Sequence, residues 1–260
     1  MRMVKAFVRS FVIAVSMYSR IPVPQFIWKE EDMRYVFCFF PWIGAVTGGC
    51  IYIWNMFCGF FQIGTLGRTA MSMVIPLLVT GGIHVDGFMD TMDALHSYQT
   101  RERKLEILKD SHIGAFSVMM LAAYGLVWMG AFSEIENEVS LKIVCGGFFL
   151  SRCLCGISAV SFPLAKKEGL LYLFADSSHR RIVKGSLYLQ SVGCIGWMFF
   201  WSPVRGAIVT VMSFLALGYY DHRSRKEFGG VTGDTAGCFV LMCELCILVG
   251  AAGVDLVFGR

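Results

Sequence analysis

Residues 81–114 read GGIHVDGFMDTMDALHSYQTRERKLEILKDSHIG. One apolar run ends where this stretch starts and another begins where it closes, so it is a short charged excursion between hydrophobic segments. Asp86, Asp90 and Asp93 stand four and then three residues apart. On a helix that spacing sets all three carboxylates on one face. Like charges so placed repel, and a divalent cation among them removes the repulsion. Mg²⁺ takes carboxylates, keeps several waters and is often completed by substrate phosphate, so it is the expected ion. Asp110, one charged segment later, is a further candidate ligand. The plain alternative is a solvated acidic loop. Against it, Asp86 follows an apolar run directly, and ionisable groups at a membrane edge are functional by default. His84, just before the group, reads equally well as a base, a phosphate contact or an interfacial histidine.

Working outward, the 260 residues are 56% hydrophobic and only 16% charged, where a soluble domain carries about a quarter charged residues. Several apolar runs approach the roughly 20 residues needed to cross a hydrocarbon core. The reading is an all-α, polytopic membrane bundle forming one domain over 1–260. Seven spans are expected, at 35–62, 69–83, 112–133, 141–162, 185–202, 206–220 and 233–258. Tyr35, Trp42, Trp128, Trp201, Tyr219 and Tyr220 suit an interfacial belt. The first segment, MRMVKAFVRSFVIAVSMYSRIPVP, is too short and too charged to span and reads as a helix lying in the interface, ended by Pro22 and Pro24. It does not read as a cleavable signal, because Arg9 interrupts the apolar run and no small-residue site follows Arg20. Most of the ten cysteines lie in apolar runs and read as small hydrophobes. The Cys243–Cys246 and Cys153–Cys155 pairs are weak metal or redox signals.

Threading seven spans from a cytoplasmic N-terminus puts eighteen Lys and Arg on the cytoplasmic side and four on the other: Arg68, Lys142, Arg205 and Arg260. This is a strong positive-inside bias, and the acidic loop SEIENEVS (133–140) falls outside. Loops 84–111, 163–184 and 221–232 then all face the cytoplasm.

Other constellations share that side. Gly229-Gly230-Val231-Thr232-Gly233-Asp234 opens the last span. Its glycines let backbone N–H groups approach a phosphate, and Asp234 adds a carboxylate at the membrane edge. The plain reading is a turn capped by Asp234. Asp110 or Ser111 can likewise cap the helix expected from 112. Arg152 lies inside an apolar span with no acidic residue nearby in sequence, so it calls for a buried partner or a substrate phosphate. Lys166, Lys167, Arg180, Arg181 and Lys184 form a basic loop suited to anionic headgroups, from which one or two members can reach a nucleotide. Gly44/Gly48 and Gly233/Gly237 have the GxxxG spacing, a weak signal for close helix packing.

Together these motifs resemble the cobalamin synthase family, whose members are adenosylcobinamide-GDP ribazoletransferases. The resemblance runs nearly end to end. It takes in Arg20-Ile-Pro-Val-Pro, Phe40-Pro-Trp-Ile-Gly44 with Gly48-Gly49, and Gly81-Gly82-Ile-His84-Val-Asp86-Gly87 continuing to Asp90 and Asp93. It goes on through Arg103, Lys109-Asp110-Ser111, Gly114 and Gly169-Leu170 to Gly229-Gly230-Val-Thr232-Gly233-Asp234. Ala94 stands where a glycine often follows the third aspartate, and His112 where arginine is common.

The resemblance implies a prokaryotic cytoplasmic-membrane enzyme that requires Mg²⁺. Its donor would be adenosylcobinamide-GDP and its acceptor α-ribazole or α-ribazole 5′-phosphate, with GMP released. Asp86, Asp90, Asp93 and Asp110 are then the expected metal ligands, and His84 or an aspartate the expected proton acceptor. Arg103, Arg152, Thr232, Gly233 and Asp234 are the expected substrate contacts. The expected surroundings are a lipid bilayer and no nucleic acid, with room for a homo-oligomer. Two other readings fit less well. A CDP-alcohol phosphotransferase would carry a longer Asp-Gly-Ala-Arg run, but here Phe-Met-Asp follows Asp86-Gly87. A cation transporter would spread polar groups across the spans, whereas only Arg152, Glu244 and Asp255 interrupt them.

Overall fold

In a computed structural model, residues 2–258 are described; Arg260, counted above on the outer side, lies outside them. The elements are eleven α-helices, and among the described residues there is no strand beyond a single bridge between Leu164 and Val231. They are α1 (Arg2–Tyr18), α2 (Val36–Phe60), α3 (Thr65–Thr80), α4 (Ile83–His96), α5 (Arg101–Ile107) and α6 (Ala115–Ser133). There follow α7 (Glu138–Ser161), α8 (Leu170–Ser177), α9 (Arg180–Trp201), α10 (Pro203–Phe228) and α11 (Gly233–Phe258).

The centre of the bundle is α7, buried along almost its whole length, with α2, α9, α10 and α11 packed around it. At Gly44 and Gly48 a Cβ would fall 2.1 Å from the Phe148 carbonyl oxygen and 2.2 Å from that of Cys145. The GxxxG of α2 therefore seats its backbone on α7, a stronger role than the spacing alone suggested. The outer faces of α6, α9 and α10 present large apolar side chains such as Leu126, Leu189 and Leu215, as helices facing lipid do. All ten cysteines are free.

Two ion pairs, one fully and one partly buried, join α11 to its neighbours. Arg152 on α7 pairs with Glu244 on α11 and also donates to the Phe148 carbonyl at 2.8 Å. Arg205 on α10 meets Asp255 on α11 at 2.8 Å, and Ser140 donates to the same carboxylate oxygen at 2.7 Å. Arg152 thus has the buried partner its position calls for, an acidic side chain rather than a substrate phosphate. Its partner lies 92 residues away in sequence, on a neighbouring helix that brings it to the same depth.

Each of the seven expected spans falls on a helix, but among the described residues five helices are long and apolar enough to cross a membrane: α2, α6, α7, α10 and α11. The 16-residue α3 is about 24 Å long at 1.5 Å per residue, short of a hydrocarbon core of roughly 30 Å. It reaches a sixth span only together with α4, from which it is bent by 98°. The bend falls at Gly81 and Gly82, both with positive φ (67° and 84°), a conformation glycine adopts without steric cost. The 22-residue α9 is long enough, but it is not apolar enough to stand with the other five. α10 runs on to Phe228, so most of the stretch expected as loop 221–232 is helix.

α1 packs along α2: Phe7 stacks on Tyr35 with centroids 4.2 Å apart, and Tyr18 lies 4.4 Å from Phe40. It ends at Tyr18, four residues before Pro22. Arg9 meets Asp32 at 3.3 Å and fixes the returning chain.

Candidate active site

α4 leaves the Gly81–Gly82 bend and crosses the start of α11. At Gly87 a Cβ would stand 2.7 Å from the carbonyl oxygen of Asp234 and 3.0 Å from its Cα. Only a glycine lets the two backbones meet this closely. One turn away the contact repeats with the roles reversed, since a Cβ on Gly237 would stand 3.3 Å from the Cα of His84. Asp86 and Asp90 flank Gly87, so this contact carries them to Asp234. Asp90 interacts as a like charge with Asp86, Asp234 and Asp93.

The turn before α11 is braced from both sides. Val231 N–H donates to the Pro163 carbonyl at 2.9 Å, and Ala165 N–H donates to the Val231 carbonyl at 3.0 Å. The helix cap is an exchange between two threonines. Thr235 N–H donates to Thr232 Oγ1 at 3.1 Å, and Thr232 N–H donates to Thr235 Oγ1 at 2.9 Å. Capping, assigned to Asp234 in the plain reading, therefore falls to Thr232.

These elements enclose a cavity of about 470 Å³. Its exposed rim carries Asp86, Lys109, Glu168 and Gly233, with Asp234 and Lys166 partly buried beside them. Its inner wall is buried and mostly apolar: Phe37, Phe40, Cys155, Ala159 and Phe174. His84 faces the same cavity, 5% exposed, and its Nε2 has no hydrogen-bond partner.

The rim lysines are set by local contacts. Lys166 Nζ donates to the Leu105 carbonyl at 3.1 Å, and Lys109 pairs with Glu168 at 2.5 Å. Burial, with Lys109 nearby, pushes the Lys166 ammonium below the usual lysine range, while Asp234 and Glu168 pull it back up. Below them, Lys104 pairs with Glu227 at 2.5 Å and joins α5 to the end of α10.

Of the sequence-predicted residues, His84, Asp86, Thr232, Gly233 and Asp234 line the cavity, and Asp90 approaches from the α4 side. Asp93 is engaged elsewhere. Its two oxygens accept the Gly114 N–H at 2.7 Å and the Ser117 N–H at 2.9 Å, which caps α6. A Cβ on Gly114 would strike that carboxylate at 2.4 Å. Asp110 is exposed outside the cavity and bonds His112 at 2.5 Å; the pair holds the Asp110 carboxyl down and the His112 ring up. Arg103, expected at substrate, is exposed and paired with Glu106 at 2.6 Å. Arg152 is held by Glu244 and does not line the cavity.

Among the described residues no three His, Cys, Asp or Glu side chains converge closely enough to hold a metal ion by themselves. What Asp86, Asp90 and Asp234 offer is a set of hard oxygen donors with mutual repulsion. That set fits Mg²⁺, which binds through one or two carboxylates and is completed by substrate phosphate.

The sequence reading does not name Lys109 and Lys166 as site residues. Lys109 adjoins Asp110 in a motif already singled out, and Lys166 belongs to the basic loop read as facing headgroups, with one or two unspecified members reaching a nucleotide. Lys166 lines the cavity and is held by the Leu105 carbonyl, whereas its neighbour Lys167 is exposed and outside the cavity lining.

Comparison with known proteins agrees with this picture. The profile of the cobalamin-5-phosphate synthase family matches residues 10–252. A protein of Lachnoclostridium phytofermentans named adenosylcobinamide-GDP ribazoletransferase is 41% identical over 236 residues, covering 91% of this chain and 90% of the relative. Proteins of the same name from Desulfitobacterium hafniense and Clostridium perfringens are 31% and 28% identical, covering 94% and 92% of this chain and 96% of each relative. No solved structure matches. By profile and by these relatives, the chain belongs to the cobalamin-5-phosphate synthase family.

Proposed function

We propose that this chain joins adenosylcobinamide-GDP to α-ribazole or α-ribazole 5′-phosphate, releasing GMP and giving adenosylcobalamin or its 5′-phosphate. A ribose hydroxyl of the acceptor attacks the phosphorus on the cobinamide side of the diphosphate. A P–O bond forms, the bond to the bridging oxygen breaks, and GMP leaves with that oxygen. The hydroxyl proton passes to a base, for which the unpartnered His84 and the rim carboxylate Asp86 are the candidates.

The observation that carries this reading is the backbone contact of Gly87 with Asp234, which brings Asp86 and Asp90 within electrostatic reach of Asp234, with Lys109 and Lys166 on the same rim. Asp86, Asp90 and Asp234 would hold Mg²⁺, which when bound offsets phosphate charge and orients in-line attack. Lys166 and Lys109 place positive charge where the leaving phosphate emerges. The Gly233 N–H, at the start of a 26-residue helix, offers a further anion contact. If α3 and α9 cross as well as the five longer spans, the basic-residue asymmetry puts this rim on the cytoplasmic face of the membrane, where both water-soluble substrates are found.

The test is the full-length protein in liposomes with both substrates and Mg²⁺. GMP should appear only when donor and acceptor are both present, in equal amount with the joined product. Mg²⁺ uptake into the vesicles without GMP release would favour a transporter instead.

A further inference from the structure

We infer that the buried aromatic wall of the cavity seats the base of the nucleoside acceptor, while the larger donor stays at the charged rim. This inference rests on the transfer reaction proposed above.

The wall is built by three separate elements. Tyr18 comes from the end of α1, Phe37 and Phe40 from α2, and Phe174 from α8. Phe37, Phe40 and Phe174 are 2%, 3% and 1% exposed. Tyr18 packs on Phe40 at 4.4 Å, and Phe174 meets Phe37 edge-on at 6.3 Å. No charged side chain lies on this wall; Asp86, Lys109, Lys166, Glu168 and Asp234 all sit toward the opening. A diphosphate placed against the aromatic wall would lose its hydration without gaining a counter-charge, which is costly. The rim supplies that counter-charge.

Size points the same way. About 470 Å³ lies within the range of pockets that enclose a drug-sized ligand. A nucleoside is of that size, whereas a corrin ring with its amide arms is several times larger. The fused bicyclic base of a ribazole suits offset or edge contacts with aromatic rings.

His84 marks the junction of the two zones. Its ring stands edge-on to Phe40 at 5.9 Å, and its buried Nε2 has no partner in the protein. Buried polar atoms are nearly always hydrogen-bonded, so an orphan nitrogen on a residue that lines the cavity calls for a ligand group. With the base against Phe40, a ribose hydroxyl meets this nitrogen, and the sugar is turned toward Asp86 and the diphosphate.

The test uses the protein in liposomes, varying α-ribazole at saturating adenosylcobinamide-GDP and then the reverse. Benzimidazole alone, the bicyclic ring system without its sugar, should inhibit the wild type competitively against α-ribazole and not against the donor. Ala159→Leu, which fills the wall, should raise the acceptor KM about tenfold and leave the donor KM within about twofold. Competition of benzimidazole with the donor, or no inhibition up to its solubility, would overturn the assignment. So would a filled variant that raises the donor KM alone or neither KM. Wild-type protein that releases no GMP would defeat the transfer reading itself. Wild-type turnover with an unaltered acceptor KM in the variant would defeat only this inference.

Discussion

A methyl group on Gly87 would stand 2.7 Å from the carbonyl oxygen of Asp234. The two carboxylate-bearing segments of the site, distant in sequence, are joined at a point where neither backbone can retreat. Whatever separates α4 from α11 separates Asp86 and Asp90 from Asp234.

Gly87→Ala should therefore cut kcat/KM sharply, by about a hundredfold or more, since small displacements of reacting groups have effects of that order. It should destabilise the protein by about 1–3 kcal/mol through overpacking. Gly49→Ala is the contrast, because a Cβ there meets nothing within 4 Å. Steady-state kinetics and thermal unfolding in detergent on both variants check this.

Asp93 and Asp90 should behave differently although one spacing puts them on one helix face. Asp93→Asn weakens a cap that accepts two backbone N–H groups, at a cost of about 1 kcal/mol. That cost is worth roughly 2–4 °C in a protein of this size. Its Mg²⁺ half-saturation should stay within about twofold of wild type, the spread left by a loss of stability alone. A large rise in the Mg²⁺ requirement would restore Asp93 to the ligand set.

How much of this was legible in the sequence follows from the range of each contact. The i, i+4, i+7 run of Asp86, Asp90 and Asp93 is local, so the acidic helix could be read directly. The spacing could not show that the chain folds back 21 residues later to put the Gly114 N–H on Asp93. Arg152 and Glu244 were both visible as polar interruptions, but their pairing depends on the packing of α7 against α11. The bend at Gly81–Gly82 was hidden because two adjacent glycines look the same in a straight or a turned chain. The span expected at 185–202 falls on α9, whose length suits a crossing but whose scattered polar and small residues leave it less apolar than the other five.

The buried Arg152–Glu244 pair yields a stability prediction. Arg152→Met should cost about 3–5 kcal/mol, because it leaves Glu244 buried without its partner. The double variant Arg152→Met/Glu244→Leu should recover most of the loss. Denaturant unfolding of the purified single and double variants checks the cycle. A double variant no more stable than the single one would show that the pair is not the source of the cost.

Lys166 gives a pH dependence. Its ammonium is held below the ordinary lysine range by burial, so it loses its charge earlier than a free lysine as pH rises. In the free enzyme that loss should weaken donor capture, and kcat/KM for the donor should fall on the alkaline side below the usual lysine pKa of about 10.4. Lys166→Arg, always protonated, should abolish that limb while keeping activity at neutral pH within about tenfold, since Arg keeps the charge but not the shape. An unchanged alkaline limb would exclude Lys166 as its source.

The central claim is that the carboxylates gathered by the Gly87–Asp234 contact act on the donor's diphosphate with Mg²⁺. The most direct measurement is GMP release by Asp90→Asn in liposomes, titrated with Mg²⁺ beside the wild type at saturating substrates. The account predicts a fall in kcat of about a hundredfold or more, the scale of lost transition-state electrostatics, with a raised Mg²⁺ requirement for what remains. Wild-type turnover at an unchanged Mg²⁺ half-saturation would contradict it.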